Sequence, residues 1–454
     1  MRKNKWLLTL GGISAAVLPI TAIAASCGTT QKASTTETTV KTDAELTKEA
    51  FGKLNDTQKV QVLKELKLNT VLTQDQIHEL INDFNKDAGT FGSIVWYVKS
   101  VEALIAKEAA YKNAIVAFDK LKESNKETFD FSQNFNDAQK VDNVASGKSI
   151  PAIFMDIDET VLQNDLTESK AMLEGGYTGD KKEEEDLKGR RFAVPGAVEF
   201  INHVQANGGL VFYNSDMNQS TAVRNAVKSN LKKLGIKYVA DFQFWMRGAM
   251  PYLATDEAAI SDEATKNKPD AELKTLASSL SFTQNFRPTP WITWTNSKAA
   301  YRLGSKVYKT DRMNGLDANT SGWNLGQADN NASGNAVVLK TMMRIGDNFN
   351  DFFDRASKSK SNAERVALYR NTEKFADLFT VNGGDGLKYD ENTKKLVKLG
   401  YKQAYVMVPG NAEYGGWNEP YKYGQIGEFY KAIKEIVNDP RYQTGPTEQQ
   451  PTLE

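Results

Sequence analysis

The sequence "IFMDIDETVLQN", Ile153 to Asn164, puts three carboxylates, Asp156, Asp158 and Glu159, directly behind an apolar run. A short apolar run before a polar break reads as a buried strand, and in open α/β sheets ligands bind where such strands end. Carboxylates crowded together repel unless a cation neutralises them or one keeps a proton. The stretch therefore asks for metal or proton-transfer chemistry. Two further apolar runs end the same way. "LVFYNSD" delivers Ser215, and "MMRIGDNFND" delivers Asp347 with Asp351 four residues on, within one turn if a helix starts there. Carboxylate, hydroxyl and carboxylate at three strand tips make an oxygen-rich site suited to Mg²⁺ and a phosphoryl group. An EF-hand reading of the D-x-D pair fails, because Val161 stands where the loop needs Gly and Thr167 where it needs Glu.

The elements that must position these residues follow from the patterning. Candidate strands are 152–155, 210–214, 342–345 and 404–408, with helices expected at 197–206, 221–234 and 363–379. That alternation predicts a parallel, doubly wound sheet. Helical periodicity also covers 45–85 and 94–121, an α-helical amino-terminal unit, and 425–437 before the tail. Residues 252–289 and 318–335 interrupt the alternation and read as surface insertions. The expected organisation is a signal segment at 1–27, a Ser/Thr-rich tether at 28–43, a helical unit at 44–145, the α/β core at 146–440 and a flexible tail at 441–454.

Composition narrows the chemistry. The 454 residues carry 57 basic and 57 acidic side chains, so nothing points to an electrostatic nucleic-acid binder. With two histidines, His78 and His203, and one cysteine, Cys27, the usual zinc sites lack ligands. The first 27 residues have a basic start, a long uncharged run and small residues before Cys27, the layout of a secretory signal. This segment resembles a bacterial lipoprotein signal. The resemblance implies a lipid on Cys27 and a protein anchored on the outer face of the cell membrane.

Taken together, "DIDETVLQN", "VPGAVEFIN", "NGGLVFY", "GDNFNDF", "NAERV" and "PGNAEYGGW" resemble the class C acid phosphatases, bacterial surface lipoproteins of the haloacid dehalogenase superfamily, here in a form like that of mollicutes. The fold implied is a haloacid-dehalogenase-like Rossmannoid sheet. The roles implied are Asp156 as nucleophile, Asp158 as a protonated acid that later serves as base, and Ser215 with a lysine as phosphate ligands. Mg²⁺ would be held by Asp156, the Asp158 carbonyl and Asp347, with Asp351 orienting the metal site from behind. The lysine is one of Lys298, Lys306 and Lys309. Only Lys309 has an arginine, Arg312, three residues later as the family commonly does. Trp96, Tyr97, Tyr414 and Trp417 are candidates for stacking on a substrate ring, with nucleoside monophosphates the leading substrates. Asp216 and Met217 follow Ser215 where the family has Asn and Arg. An added acid and a missing base there favour the rival reading, a surface lipoprotein that binds nucleotides, or a host or membrane partner, without turnover.

Overall fold

The computed structural model describes residue 50, residues 53–54, 88–137, 141, 147–173, 177–327, 336–412, 421 and 426–440. The expected signal, Cys27, the tether, nearly all of the 45–85 helical segment, Tyr414, Trp417 and the tail lie outside these residues. The described residues fall into two units, one within residues 90–423 and one holding those on either side of it. In the latter, the helix expected at 425–437 runs from Ile426 to Asn438.

The centre of the larger unit is a five-stranded sheet. Strand β1 (Ile150–Met155) pairs in parallel with β2 (Leu210–Tyr213). Two antiparallel ribbons follow, β3 (Tyr252–Ala254) with β4 (Phe282–Phe286) and β5 (Trp323–Asn324) with β6 (Ala336–Val337). Strand β7 (Leu339–Gly346) then lies on the other side of β1, also parallel, and β9 (Lys395–Met407) lies parallel beside β7. The order is β2-β1-β7-β9-β8, where β8 (Gly384–Asp390) is an antiparallel edge. All four strands expected from apolar runs are therefore present and mutually parallel.

The edge hairpin was not legible in the sequence. Strand β8 interleaves Asp385, Lys388 and Asp390 with its buried residues, and the first half of β9 stays half exposed with lysines at 395 and 398, so neither offers an apolar run. In β1, by contrast, all six residues are buried, because alternate side chains enter different cores. Ile153 and Met155 join Phe118, Phe200 and Val211 on one face, while Ala152 and Phe154 join Phe212, Trp245 and Trp291 on the other.

The helix Val101–Ser124 starts at Ser100, whose Oγ accepts the Ala103 N–H at 3.0 Å, so the single helix expected at 94–121 is broken there into Ala88–Lys99 and Val101–Ser124. Its Tyr111, Ala114, Ala117, Phe118 and Leu121 stripe packs in the sheet's own core. A boundary at residue 145 does not separate two cores. The interruption at 252–289 holds the β3–β4 ribbon and three helices, and Ile260, Leu273 and Ala277 share a core with Leu303 and Val307. Trp245 is fully buried against Phe154, Phe212, Trp291 and Trp323. Trp245→Ala should therefore lower the unfolding free energy by about 3–5 kcal/mol in denaturant titrations, with the parallel sheet retained by far-ultraviolet circular dichroism.

Candidate active site

The tips of β1, β2 and β7 lie side by side. The Asp156 N–H donates to Ile345 O at 3.0 Å and the Asn214 N–H donates to Met155 O at 2.7 Å, so the ladder registers run on into the site. After Asp156 the chain turns tightly, with the Val161 and Leu162 N–H groups both bonded to Ile157 O at 2.9 and 2.8 Å. Glu159, fully buried, takes φ +53 in this turn, a left-handed conformation uncommon for a side chain of its size. Two contacts brace the turn. The Tyr111 hydroxyl donates to Thr160 O, and Thr160 Oγ1 donates to Asp347 Oδ1 at 3.1 Å.

Lys309 is buried at the head of the helix Lys309–Ala318, and its Nζ donates to Asp156 Oδ1 at 2.6 Å and to Asp351 Oδ1 at 2.7 Å. The backbone of the same residue is fixed as well. Asp354 accepts the Lys309 and Thr310 N–H groups at 2.8 and 2.9 Å, capping the helix with a carboxylate from another element. Lys298 and Lys306 are exposed. Arg312, one turn on, donates to Asn214 Oδ1, Ser215 O and Trp245 O at 3.0, 2.7 and 2.9 Å, which fixes the loop that carries Ser215. The Ser215 Oγ is buried and accepts the Met217 N–H at 3.2 Å.

Asp156, Asp347 and Asp351 each bring a carboxylate oxygen within 4.8 Å of the others. Glycines make this approach possible. A Cβ on Gly346 would meet Asp351 Oδ2 at 2.3 Å, and one on Gly410 would meet Asp347 Oδ2 at 2.9 Å. Burial, outweighing Lys309 and aided by Asp351 and Asp158, lifts the Asp156 carboxyl to about 7. Burial together with Asp351, Asp156 and Glu159 holds Asp347 well above the usual carboxylate range, and Asp351 is raised too, chiefly by burial. Three oxygen donors that resist ionising together suit a hard divalent cation. Asp351, expected behind the metal site, has its carboxylate inside this cluster.

Asp158 departs from expectation. Its carboxylate turns away from the cluster to Arg191 Nη1 and, at 3.1 Å, to Lys182 Nζ. Although burial pushes its carboxyl up, Lys182 and Arg191 outweigh that and hold it down to about 2, so the side chain is ionised rather than protonated. Lys182 comes from the helix Gly179–Leu187 and is itself locked to Asp186 at 2.6 Å. Arg191 is anchored through its backbone to the Asn230 side chain, at 2.8 and 2.9 Å. Asp216 is neutralised in turn by Arg247 and Arg312, each at 3.1 Å, and these cations with Lys309 overcome burial to depress its pKa. Arg191 Nη2 also lies 3.4 Å from Met217 Sδ, so a guanidinium occupies the space beside position 217 although none is encoded there. Arg191, Lys182, Arg247 and Asp354 were not found by sequence reasoning. Each is remote in the chain from the group it holds; Lys182 sits in the charge run "KKEEED", Lys181 to Asp186, which by charge alone reads as solvated surface, yet Lys182, Glu185 and Asp186 are buried.

Residues 98–271 match the family described as HAD superfamily, subfamily IIIB (Acid phosphatase). The match covers less than half of the chain. The matched residues include Asp156, Asp158 and Ser215, while Lys309, Asp347 and Asp351 lie beyond them. Among solved structures, the chain is similar to the class C acid phosphatase from Bacillus anthracis at 15% identity and a TM-score of 0.40, covering 77% of this chain and 95% of that one. A second structure of that enzyme, with tungstate bound, matches at 18% identity and a TM-score of 0.30, over 63% and 96% of the two chains.

The aromatic candidates for substrate stacking differ in their exposure. Trp96 is 44% exposed, whereas Tyr97 is buried with Lys107 Nζ 3.5 Å from its ring centroid, which leaves no free ring face on that side for a base. The cluster also has a consequence for stability. A carboxyl whose folded pKa is raised contributes stability below its unfolded pKa and loses it as pH rises through the folded value. In the presence of a chelator, Asp156→Asn should therefore melt increasingly above the unsubstituted protein as pH rises from about 4 through about 7. A saturating divalent cation should narrow that gap; thermal melts across pH with and without the cation read both effects.

Proposed function

We propose that the protein hydrolyses phosphate monoesters through an aspartyl-phosphate intermediate, with Mg²⁺ as cofactor, at the outer face of the cell membrane. The observation that carries this reading is the buried Lys309 ammonium, 2.6 Å from Asp156 and 2.7 Å from Asp351, at the tip of the central strand. A carboxylate nucleophile, a lysine for phosphoryl oxygens and a three-carboxylate cation site then meet at one point.

In the first half-reaction an Asp156 oxygen attacks phosphorus in line, the P–O bond to the ester oxygen breaks, and the alkoxide leaves. In the second, water attacks the aspartyl phosphate and returns Asp156 and inorganic phosphate. Asp158, ionised by Arg191 and Lys182, is in the charge state suited to taking the proton from that water. To protonate the leaving oxygen it would first have to gain a proton, which its two cationic partners oppose. Lys309 and Ser215 hold the phosphoryl oxygens, a charge-assisted contact in the case of Lys309. Asp156, Asp347 and Asp351, with the Asp158 carbonyl, would hold a divalent cation, which would supply positive charge to offset that of a dianionic substrate. Nucleoside monophosphates are the substrates we favour, and the lipid on Cys27 the anchor.

A second reading, nucleotide binding without turnover, draws support from the Asp158 pairing, since that carboxylate is engaged elsewhere. Phosphate release decides between them. An aryl phosphate and nucleoside monophosphates should be hydrolysed with Mg²⁺, and chelation or Asp156→Asn should abolish turnover. No release across such a panel, with bound cation verified, would leave only the binding reading. Lys309→Ala should cut kcat/KM by orders of magnitude, and Lys298→Ala and Lys306→Ala should do little. For the anchor, the mature protein should partition into detergent and the Cys27→Ser form into the aqueous phase, since acyl burial contributes about 0.8 kcal/mol per CH₂.

A further inference from the structure

Beside the buried carboxylate cluster, Asp216 meets solvent. Asp156, Ser215, Lys309 and Asp351 are each less than a tenth exposed, whereas the Asp216 side chain is 46% exposed, and it is the one exposed residue within 211–220. It directly follows Ser215, whose hydroxyl is proposed to hold a phosphoryl oxygen. Both of its carboxylate oxygens are engaged. Oδ1 accepts from Arg312 Nη2 at 3.1 Å, and Oδ2 lies 3.1 Å from Arg247 Nη2. Neither arginine depends on that contact for its place. Arg312 Nη1 is fixed by Asn214, Ser215 and Trp245, and the Arg247 guanidinium lies 4.6 Å from the Tyr301 ring centroid. The backbone of Arg247 is bonded as well, its N–H to Met217 O at 2.9 Å and its carbonyl to the Gln219 N–H at 2.7 Å.

The geometry points to Asp216 as a specificity-determining residue that restricts the phosphomonoesterase proposed above to single phosphates. Its carboxylate occupies arginine donors that a second, adjacent phosphate would use. Monophosphates are accepted, and nucleoside diphosphates and other compounds with two neighbouring phosphates are refused. Two arginines at the mouth of a phosphoryl site would by themselves favour a second phosphate, because the guanidinium fork matches phosphate oxygens. A carboxylate seated on them takes up those donors and adds a negative charge that repels the incoming one. Selection then comes from an unfavourable contact with the wrong ligand. Although burial raises the Asp216 carboxyl, Arg247, Lys309 and Arg312 outweigh that and hold it well below the usual carboxylate range, so the charge persists.

Methylphosphonate and methylenediphosphonate test this, since they differ by one phosphonate group and contain no ester or anhydride bond to break. Affinities for the full chain are read by calorimetry at one fixed free Mg²⁺ concentration. The unsubstituted protein should bind methylphosphonate at least as tightly as the diphosphonate. Asp216→Asn, which keeps the shape and removes the charge, should raise the ratio of diphosphonate to methylphosphonate affinity by about tenfold. Asp216→Glu should keep the unsubstituted ratio, and Arg247→Leu added to Asp216→Asn should remove most of the gain. A merely structural role for Asp216 would move both ligands together. The proposal is overturned if Asp216→Asn leaves the ratio within about twofold, or if its gain survives Arg247→Leu in full; methylphosphonate binding in either case leaves the phosphatase reading standing. No methylphosphonate binding by the unsubstituted protein, with bound Mg²⁺ verified, overturns both. Should Asp216→Asn fail to fold, Asp216→Ser takes its place with the same outcomes.

Discussion

One buried ammonium holds this site together. Lys309 Nζ lies between Asp156 and Asp351, two buried carboxylates on different elements that would otherwise repel each other. Coulombic energies grow several-fold as the surroundings become less polar, so a charge left unpaired here would be far more damaging than one at the surface. The rest of the site is arranged to keep that ammonium in place. Asp354 takes the backbone N–H groups at the head of its helix, Arg312 ties the next turn to the Ser215 loop, and Arg355 grips Asp311 at 2.8 and 2.6 Å.

The sheet supplies what a helix cap cannot, a fixed distance between chains remote in sequence. Parallel pairing of β2, β1 and β7 sets three strand ends at one edge, and the ladder continues through Asp156 and Asn214, so the first functional residues inherit the register of the core. Close approach beyond the strands then depends on missing side chains. Gly346 and Gly410 leave room for Asp351 and Asp347, which is why carboxylates can crowd there at all.

Charge is balanced again at the mouth, by different groups. Asp158 answers to Arg191 and Lys182, and Asp216 to Arg247 and Arg312. The acid that sequence comparison makes suspect beside Ser215 is thus already matched by base. The guanidinium missing after Ser215 has a counterpart in space, since Arg191 reaches Met217 from another part of the chain. The cost falls on Asp158, whose pairing favours its ionised form and so bears on which half of a phosphoryl transfer it can serve.

The amino-acid sequence by itself determined the four parallel strands and the helices at 197–206 and 221–234, the second ending at Lys233, because a buried strand is mostly apolar and a packed helix must repeat its apolar face. It also determined which residues follow the strand tips, Asp156, Ser215 and Asp347, since those are consequences of local order along the chain. Tertiary structure alone decided the rest. The β8–β9 hairpin is broken by charged residues in β8 and half exposed in the first part of β9, and leaves no apolar run to read. The folding of residues 252–289 onto Leu303 and Val307 depends on contacts between distant segments. Whether Asp158 is charged, whether Asp216 is compensated and whether the Tyr97 ring is covered are set by neighbours such as Arg191, Arg247 and Lys107, and their nearness is a property of the fold, not of spacing in the sequence.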